Sequence, residues 1–398
     1  MRLRHPVLLL LPLLGPAQVF GLGIRIADQD PFATARGNAF AATADNPSAI
    51  YYNPAGITQL HGQNANFSLY TIYLNSHYTS PAGSEVDTKD EIQAIPRLYY
   101  TYSFQNLPLS LGLGIYTPYG LGLEWPDNSG FRTLAKEGRI LYLTGNPVVA
   151  WEALPSLSVA AGPTINYSQA ELKRGIGLSG DEFRFKGDDT AVGFNVGILW
   201  RAHPKVSFGA SYRSPTTLNY DGDTRNTYTG SQSASAELHF PRNIIGGVSF
   251  RPMTNWNFEV NVDWTDWDSL NTVVVKQSPP LQLPFNWRSS FFYEFGATYY
   301  FGDNYRVSAG YIYSENTVPD SSFNPVVPDS DRHIFSVGLG KTYKRLRWDA
   351  AYQLAFGPTR TVSGSPSNTN PFTGAVESAD GRYEFISHAL TVSLGYTF

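Results

Sequence analysis

The feature that most constrains this fold is a two-residue alternation of apolar and small or polar side chains that runs through most of the chain. In the last segment, the apolar members are Leu390, Val392, Leu394, Tyr396 and Phe398. Similar runs cover 192–200, 206–212, 258–264 and 348–356. Because successive side chains of a strand point to opposite faces, the pattern predicts strands with one apolar and one polar face.

The alternating runs predict about fourteen strands. Their approximate limits are 64–80, 94–105, 107–119, 138–152, 155–173, 182–201, 204–221, 232–251, 255–276, 286–302, 304–316, 331–344, 345–360 and 382–398. The tight connections are 105–108, 152–155, 202–204, 252–254, 302–304 and 344–345. These alternate with long polar connections, an arrangement typical of outer-membrane β-barrels.

A soluble β-sandwich would also show alternating strands. The predicted strands are longer and more numerous than one sandwich needs, and the chain ends on an aromatic strand at Phe398. In lipid every backbone donor and acceptor must be satisfied within the protein, so a ladder with an apolar outer face has to close on itself. We therefore expect an all-β fold, a transmembrane antiparallel β-barrel.

Composition agrees with that fold class and excludes some functions. Aromatic residues make up 14% of the chain and charged residues 16%, which favours β-structure. A net charge of −4 without a basic run argues against a nucleic-acid partner. The absence of cysteine excludes disulfides and thiolate chemistry.

Residues 1–20 have the layout of a secretory signal peptide. Arg2 and Arg4 precede an apolar run from Val7 to Leu14, and small residues follow. The run is too short for a membrane anchor, and no later window is long and apolar enough for a membrane helix. We expect export to the outer membrane of a Gram-negative bacterium.

Residues 21–63 precede the first strand, lack alternation and contain two Asn-Pro pairs. In "ADNPSAIYYNPAGI", Asn46-Pro47 and Asn53-Pro54-Ala55 predict N-caps of two short helices, 48–52 and 55–58. Helices that short need a surrounding wall, which the lumen of the predicted barrel 64–398 supplies. We expect an N-terminal plug, or hatch, of short helices inside the lumen. The apolar residues expected against its wall are Phe40, Ile50, Tyr51, Tyr52 and Ile57. A periplasmic tail is the alternative.

The segment "RGNAFAATADNPSAIYYNPAGI" (36–57), together with the signal peptide and the final strand, resembles the FadL family of outer-membrane transporters for long-chain fatty acids and other hydrophobic compounds. "YTPYGLGLEWPD" (116–127) and "NWRSSFFYEFGATYYF" (286–301) add to the resemblance. It implies a barrel closed by a hatch. It also implies that extracellular loops capture an apolar ligand, which binds in the lumen and leaves sideways near a distorted third strand.

In this chain the third strand reads "LPLSLGLGIYTPYG", where Gly112 and Gly114 fall on the lumen face. Two glycines on one face permit a kink or bulge and are the predicted lateral gate. They would equally make room for the plug, and the two interpretations do not exclude each other.

Inward-facing arginines are candidate ligand-binding residues. With the apolar face outward, Arg97, Arg213, Arg288 and Arg332 fall on the inner wall and could hold a carboxylate. Phe40, Tyr51 and Tyr52 of the plug are further candidates. Salt bridges within the lumen are the competing interpretation, because the inner face also carries Glu237, Glu259, Asp263 and Glu294. In the loops, Trp125 and Trp287 are expected either to capture ligand or to lie in an interfacial girdle.

No catalytic or metal-binding motif occurs in the sequence, so we expect no enzyme activity, no metal and no cofactor. The expected partners are a hydrophobic small molecule, such as a fatty acid or hydrocarbon, outer-membrane lipid, and the barrel-assembly machinery through Phe398. The expected function is passive transport of hydrophobic compounds. An open diffusion porin for polar solutes and an outer-membrane adhesin or enzyme are the alternatives; a porin would lack the plug.

Overall fold

The computed structural model describes residues 23–398. The predicted signal peptide, residues 1–20, lies outside the described residues. No helix within 23–398 is long and apolar enough to cross a membrane.

Fourteen antiparallel strands form one closed barrel, as predicted. The strands are β1 (Gln63–Thr79), β2 (Ile92–Ser103), β3 (Leu109–Tyr116 and Gly120–Glu124), β4 (Glu137–Leu154), β5 (Leu157–Arg174), β6 (Phe183–His203), β7 (Val206–Arg213 and Thr216–Asn226), β8 (Gly230–Phe240 and Asn243–Phe250), β9 (Trp256–Thr265 and Thr272–Lys276), β10 (Leu281–Pro284 and Ser290–Phe301), β11 (Tyr305–Ser314), β12 (Arg332–Tyr343), β13 (Leu346–Phe356 and Arg360–Val362) and β14 (Gly381–Thr397). Each strand pairs with the next, and β1 pairs with β14 from Asn64↔Thr397 to Thr79↔Arg382. This last pairing closes the barrel.

The two ends of the barrel differ. At one end, which we call the turn end, consecutive strands are joined by the short connections 104–108, 155–156, 204–205, 251–255, 302–304 and 344–345. At the other, the loop end, connections such as 315–331 and 357–380 are long. The β7–β8 connection is an exception, because the two strands extend as a hairpin to a three-residue turn, 227–229, where a long loop was predicted.

The outer surface carries an apolar belt. Its exposed members include Leu98, Leu113, Ile115, Val149, Ile198, Val260, Phe295, Val337, Leu390 and Leu394. The alternate, inward positions of the same strands are small or polar, such as Ser308, Ser336 and Thr391, and all three are buried. This is the arrangement that lipid requires of a closed barrel.

The alternation reverses phase in the outer parts of β7 and β8. On the turn-end side of the interruptions at 214–215 and 241–242, Phe208 and Ile244 face outward. On the loop-end side, Leu218 and Leu238 are buried and face inward. Glu237 was predicted on the inner wall, and this placement is wrong: the side chain is exposed and lies 3.1 Å from His239. The hairpin extends past the apolar belt to where water surrounds the barrel, so polar residues face outward there.

The N-terminal segment fills the lumen with short helices. Helix α1 (Pro31–Ala35) begins at Asp30, whose carboxylate accepts the amides of Phe32 and Ala33. Helix α2 (Ala49–Tyr52) and a 3₁₀ helix (Pro54–Gln59) follow at the two Asn-Pro sites. The side chains of both helices from 49 to 57 are buried. We call residues 23–59 the plug.

Candidate functional site

The barrel wall is interrupted between β2 and β3. Their pairing runs only from Ser103↔Ser110 to Leu98↔Ile115. β3 stops after Tyr116 and resumes at Gly120, where it pairs with β4 but not, in the described structure, with β2. The register against β4 shifts by one residue across the gap, since Tyr116 opposes Thr144 and Gly120 opposes Leu141. Residues 92–97 of β2 therefore lack a strand neighbour on one side, and we call this opening the wall break.

The plug, rather than β2, pairs with the interrupted part of β3. The amide of Ile26 donates to the Pro118 carbonyl at 2.8 Å, and the amide of Gly120 donates to the Ile24 carbonyl at 2.9 Å. The Gln29 side chain donates to the Thr117 carbonyl at 2.8 Å. Residues 24–26 thus form a short antiparallel bridge to β3, centred on Arg25 and Tyr119, at the wall break.

Gly112 and Gly114, the predicted gate glycines, lie in the regularly paired part of β3, where they oppose Val148 and Asn146. A Cβ on Gly112 would lie 2.9 Å from the Ile50 side chain, and one on Gly114 would lie 3.0 Å from it. Both glycines therefore make room for the plug. The interruption begins after Tyr116, beyond them.

Two buried ion pairs join the plug to the inner wall. Arg25 donates to both carboxylate oxygens of Asp263 on β9, at 2.8 and 2.6 Å. Arg36 pairs with Glu259 of the same strand at 3.5 Å, and Glu259 also accepts the plug amides of Ala42 and Thr43. Asp263, Glu259 and Glu294, which accepts from Asn261 at 3.0 Å, lie on the inner wall as predicted.

Close backbone contacts at wall glycines hold the plug in place. A Cβ on Gly310 of β11 would lie 1.9 Å from the Gly37 nitrogen, and one on Gly209 of β7 would lie 2.0 Å from the Ala41 oxygen. No side chain fits at either position without moving the plug.

The two asparagines of the Asn-Pro pairs tie the plug together, and Asn53 also caps the 3₁₀ helix, as predicted. The N-cap prediction for Asn46 is wrong, because α2 begins one residue later than expected and its N-cap is Ser48. The Asn53 oxygen accepts the Ala55 amide, while its side-chain nitrogen donates to the carbonyls of Ala41 (2.7 Å) and Ile198 on β6 (2.9 Å). Asn46 accepts the Ser48 amide and donates to Asp30. Asn53 is therefore a direct contact between plug and wall.

Phe40, Tyr51 and Tyr52 pack on one another inside the plug. The Phe40 ring meets that of Tyr52 edge to face at 5.5 Å, and Tyr52 meets Tyr51 at 5.0 Å. All three side chains are at most 2% exposed. They form the plug core and do not line the cavity described next.

An apolar cavity of about 90 Å³ lies inside the loop end. Its apolar lining comprises Ile24, Ile140, Ala170, Leu172, Phe185, Tyr220, Ala236, Leu238, Leu270, Val273, Val275, Leu283, Phe285, Trp287, Val326 and Val327. The charged side chains in the lining are Arg139 and Glu171, and both are paired, with Glu91 and Arg184 respectively. Ile24 of the plug belongs to the lining, so the cavity adjoins the segment that covers the wall break.

The loops form an apolar cap around this cavity. Trp125 is fully buried and donates from its indole nitrogen to the Pro325 carbonyl at 2.8 Å, while its ring packs on Phe131 and Tyr78. Trp287 is 4% exposed and lines the cavity. Neither tryptophan lies exposed on a capture surface or in an outer girdle.

The predicted arginines do not converge on the cavity. Arg213 stacks over Tyr51 at 4.3 Å and donates to its carbonyl. Arg332 lies over the Phe385 ring at 3.7 Å, with Asp329 at 3.3 Å. Arg97 is buried over Tyr70 at 5.0 Å. The inner-wall prediction for Arg288 is wrong: the residue is exposed in the connection 285–289, because regular pairing of this part of β10 begins only at Ser290.

Two features of the site were not predicted from the sequence. They are the inward apolar residues of the outer hairpins, such as Tyr220 and Leu238, and the pairing of 24–26 with β3. Pro215 and Pro241 mark the phase reversals, and Pro118 marks the wall break. Because proline cannot donate to a ladder, these positions were the available signal.

Comparisons with known proteins agree with this architecture. A family profile described as "Outer membrane protein transport protein (OMPP1/FadL/TodX)" matches residues 14–398. Among curated relatives, a putative outer membrane protein of Neisseria meningitidis is 23% identical, covering 100% of this chain and 98% of its own length. The long-chain fatty acid transport protein of Escherichia coli O6:H1 is 22% identical, covering 75% and 78% respectively.

Two solved structures share the fold. The crystal structure of a Pseudomonas aeruginosa FadL homologue superimposes with a TM-score of 0.83 at 19% identity, covering 94% of this chain and 99% of that one. The Ralstonia pickettii toluene transporter TbuX gives 0.70 at 17% identity, covering 92% and 98%. Because the family profile matches nearly the whole chain, this protein belongs to the OMPP1/FadL/TodX family of outer-membrane transport proteins.

Proposed function

We propose that the protein carries hydrophobic compounds passively across the outer membrane and releases them sideways into the bilayer through the wall break. The observation that carries this proposal is the position of the apolar cavity. It adjoins Ile24, and the segment 24–26 is paired with the interrupted part of β3. An apolar compound in the cavity is therefore one plug segment away from an opening toward lipid.

The route has three steps. The apolar cap of the loop end, taken as extracellular, takes up the compound, the cavity binds it, and it leaves between β2 and β3 once the segment 24–26 has moved. A dry cavity that binds benzene measures about 150 Å³. The cavity here, at about 90 Å³, must therefore widen to accept a ligand, and Ile24 is a lining residue that can move with the plug. Partition into lipid requires no energy source.

The proposed substrates are long-chain fatty acids or similar apolar molecules. The E. coli relative is named a long-chain fatty acid transport protein, and the Ralstonia structure is named a toluene transporter. The apolar lining with its charges already paired supports an apolar ligand surface and not a path for polar solutes.

A disulfide between the plug segment and β3 tests the route. Ile24 and Gly120 are opposed in the short antiparallel pairing, and the native chain has no cysteine. The Cα distance of such pairs suits a disulfide. In the Ile24→Cys/Gly120→Cys variant, we expect oxidation to lower uptake of a labelled hydrocarbon at least about tenfold and reduction to restore it. The single-cysteine variants are the controls. Equal uptake by the oxidised and reduced double variant would contradict lateral release past this segment.

We also propose that the barrel-assembly machinery recognises the C-terminal strand at Phe398. The Phe398 ring is 60% exposed, and its amide donates to the Gln63 carbonyl at 3.0 Å. Replacing Phe398 with Ser should lower the amount of folded barrel in the outer membrane without changing uptake per folded molecule. An unchanged amount of barrel would contradict this proposal.

A further inference from the structure

Seven arginine side chains are buried in the described part of the chain. Five lie beside a carboxylate, in the pairs Arg25–Asp263, Arg36–Glu259, Arg132–Asp181, Arg306–Asp349 and Arg332–Asp329. A sixth, Arg213, donates to the Tyr51 carbonyl. The seventh, Arg97, is 1% exposed, and its three guanidinium nitrogens have no hydrogen-bond partner among residues 23–398. Its contact is the Tyr70 ring at 5.0 Å.

The wall around Arg97 carries further polar groups without a protein partner. Ser68 of β1 lies directly opposite Arg97, and Ser393 of β14 lies opposite Ser68. The buried side chains with unpartnered polar atoms in this region are Asn66, Ser68, Thr101, Thr391 and Ser393. Buried polar groups nearly always bond to protein, water or ligand. This patch is therefore suited to hold a polar group that the protein itself does not supply.

Toward the loop end the same wall becomes apolar. Tyr70, Ile72, Ile95 and Ala389 form a buried cluster with Ile26 of the plug. In the strand register, Tyr70 opposes Ile95 and Thr391. This is the next inward-facing position along the strands after the Ser68–Arg97 pair. Arg97 thus lies at the boundary between a polar and an apolar surface, and the combination matches a molecule with an acidic head and an apolar tail.

Arg97 also lies at the edge of the wall break. The next residue, Leu98, is the last of β2 that pairs with β3. Ile26, which covers the apolar cluster, belongs to the segment that pairs with β3 at the break. A compound that leaves between β2 and β3 after this segment moves passes the Arg97 guanidinium.

We infer that Arg97 is the head-group site for hydrophobic monocarboxylates at the point of lateral exit. This inference rests on the proposed function and adds a residue that selects for acids. Guanidinium and carboxylate form two parallel charge-assisted hydrogen bonds, and Ser68 can donate a third. The plug carboxylate Asp28 interacts electrostatically with Arg97, but no hydrogen bond or ion pair joins the two within residues 23–398. The Asp28 Oδ1 atom accepts from Asn38 and Gln353 instead.

Binding of two ligands with the same tail tests the inference. We would measure equilibrium binding of dodecanoate and of 1-dodecanol to the purified full chain in detergent, with uptake of both by cells that produce it. Because hydrogen bonds to charged groups contribute about 1.5–3 kcal/mol, Arg97→Gln should weaken dodecanoate binding at least about tenfold. Binding of 1-dodecanol should change less than about twofold. Arg97→Lys, which keeps the charge, should restore part of the preference.

Arg201→Gln is the matched control. It removes the same charge from a half-buried pair with Glu152 at the turn end, so both ligands should bind as to the native protein. An equal loss for both ligands in Arg97→Gln, or no loss for either, would overturn the inference. Uptake of 1-dodecanol by the native protein tests the proposed function separately, because this ligand has no carboxylate.

Discussion

At the scale of single residues, the plug is held by buried ion pairs, hydrogen bonds and close contacts with wall glycines. Arg25 and Arg36 find their carboxylates more than 200 positions away on β9, and Asn53 bonds both to the plug and to β6. The wall glycines let the plug backbone approach that of the strands. Because these buried polar groups have partners on the wall and the backbones pack closely, the plug is held in one position.

Gly310→Ala tests this packing. The new Cβ would lie 1.9 Å from the Gly37 nitrogen, so the plug has to shift, and overpacking of this kind costs about 1–3 kcal/mol. We expect amides 36–38 to exchange hydrogen roughly 5 to 150 times faster. Gly246→Ala on β8 is the matched control, since a Cβ there meets nothing within 4 Å. Equal exchange in both variants would show that the plug is not held at this glycine.

At the scale of elements, alternation predicted the strands well because it reports the pleat directly. It could not report which face is inside once a strand leaves the membrane. Glu237 was misplaced because β8 reverses phase at 241–242, and Arg288 because 285–289 is a loop. The short helices of the plug were predictable from its two Asn-Pro pairs, although only Asn53 caps a helix. Its ion pairs were not, because Arg25 and Asp263 are 238 positions apart and meet only in the closed barrel.

The loops of the apolar cap include the turn 175–182, which is stabilised by a buried carboxylate, that of Asp181. Asp181 accepts the amides of Ile176, Gly177 and Leu178 at 2.6–2.8 Å and pairs with Arg132. Burial alone would raise the pKa of Asp181, but the amide hydrogen bonds and Arg132 outweigh it and lower the pKa to about 2. The turn is therefore stabilised by the ionised form.

Acid should release this turn. Since the pKa of Asp181 in the folded protein is below its usual value, its contribution is present above about pH 4 and is lost as the pH falls towards 2. We expect amides 176–178 to lose hydrogen-exchange protection over that range, after correction for intrinsic rates. Asp181→Asn should lower their protection already at pH 7, whereas Asp223→Asn, exposed in the β7–β8 hairpin, should not. Full protection in Asp181→Asn would contradict this role.

At the scale of the whole molecule, a closed barrel, a filled bore and an interrupted wall are the three features that we propose separate polar from apolar solutes. The plug occupies the lumen with buried side chains from Ile24 to Ile57. The cavity adjoins the plug segment that pairs with β3 at the wall break. In the proposed route, polar solutes have no open bore, and apolar compounds leave through the wall break.

Conductance of the intact protein in planar bilayers, measured beside hydrocarbon uptake by cells that produce it, tests this separation most directly. We expect uptake of hydrocarbon with no steady ion conductance, and a water-filled conductance after deletion of residues 23–59. Steady ion conductance by the intact protein would contradict it, because the bore would then be open and the wall break unnecessary.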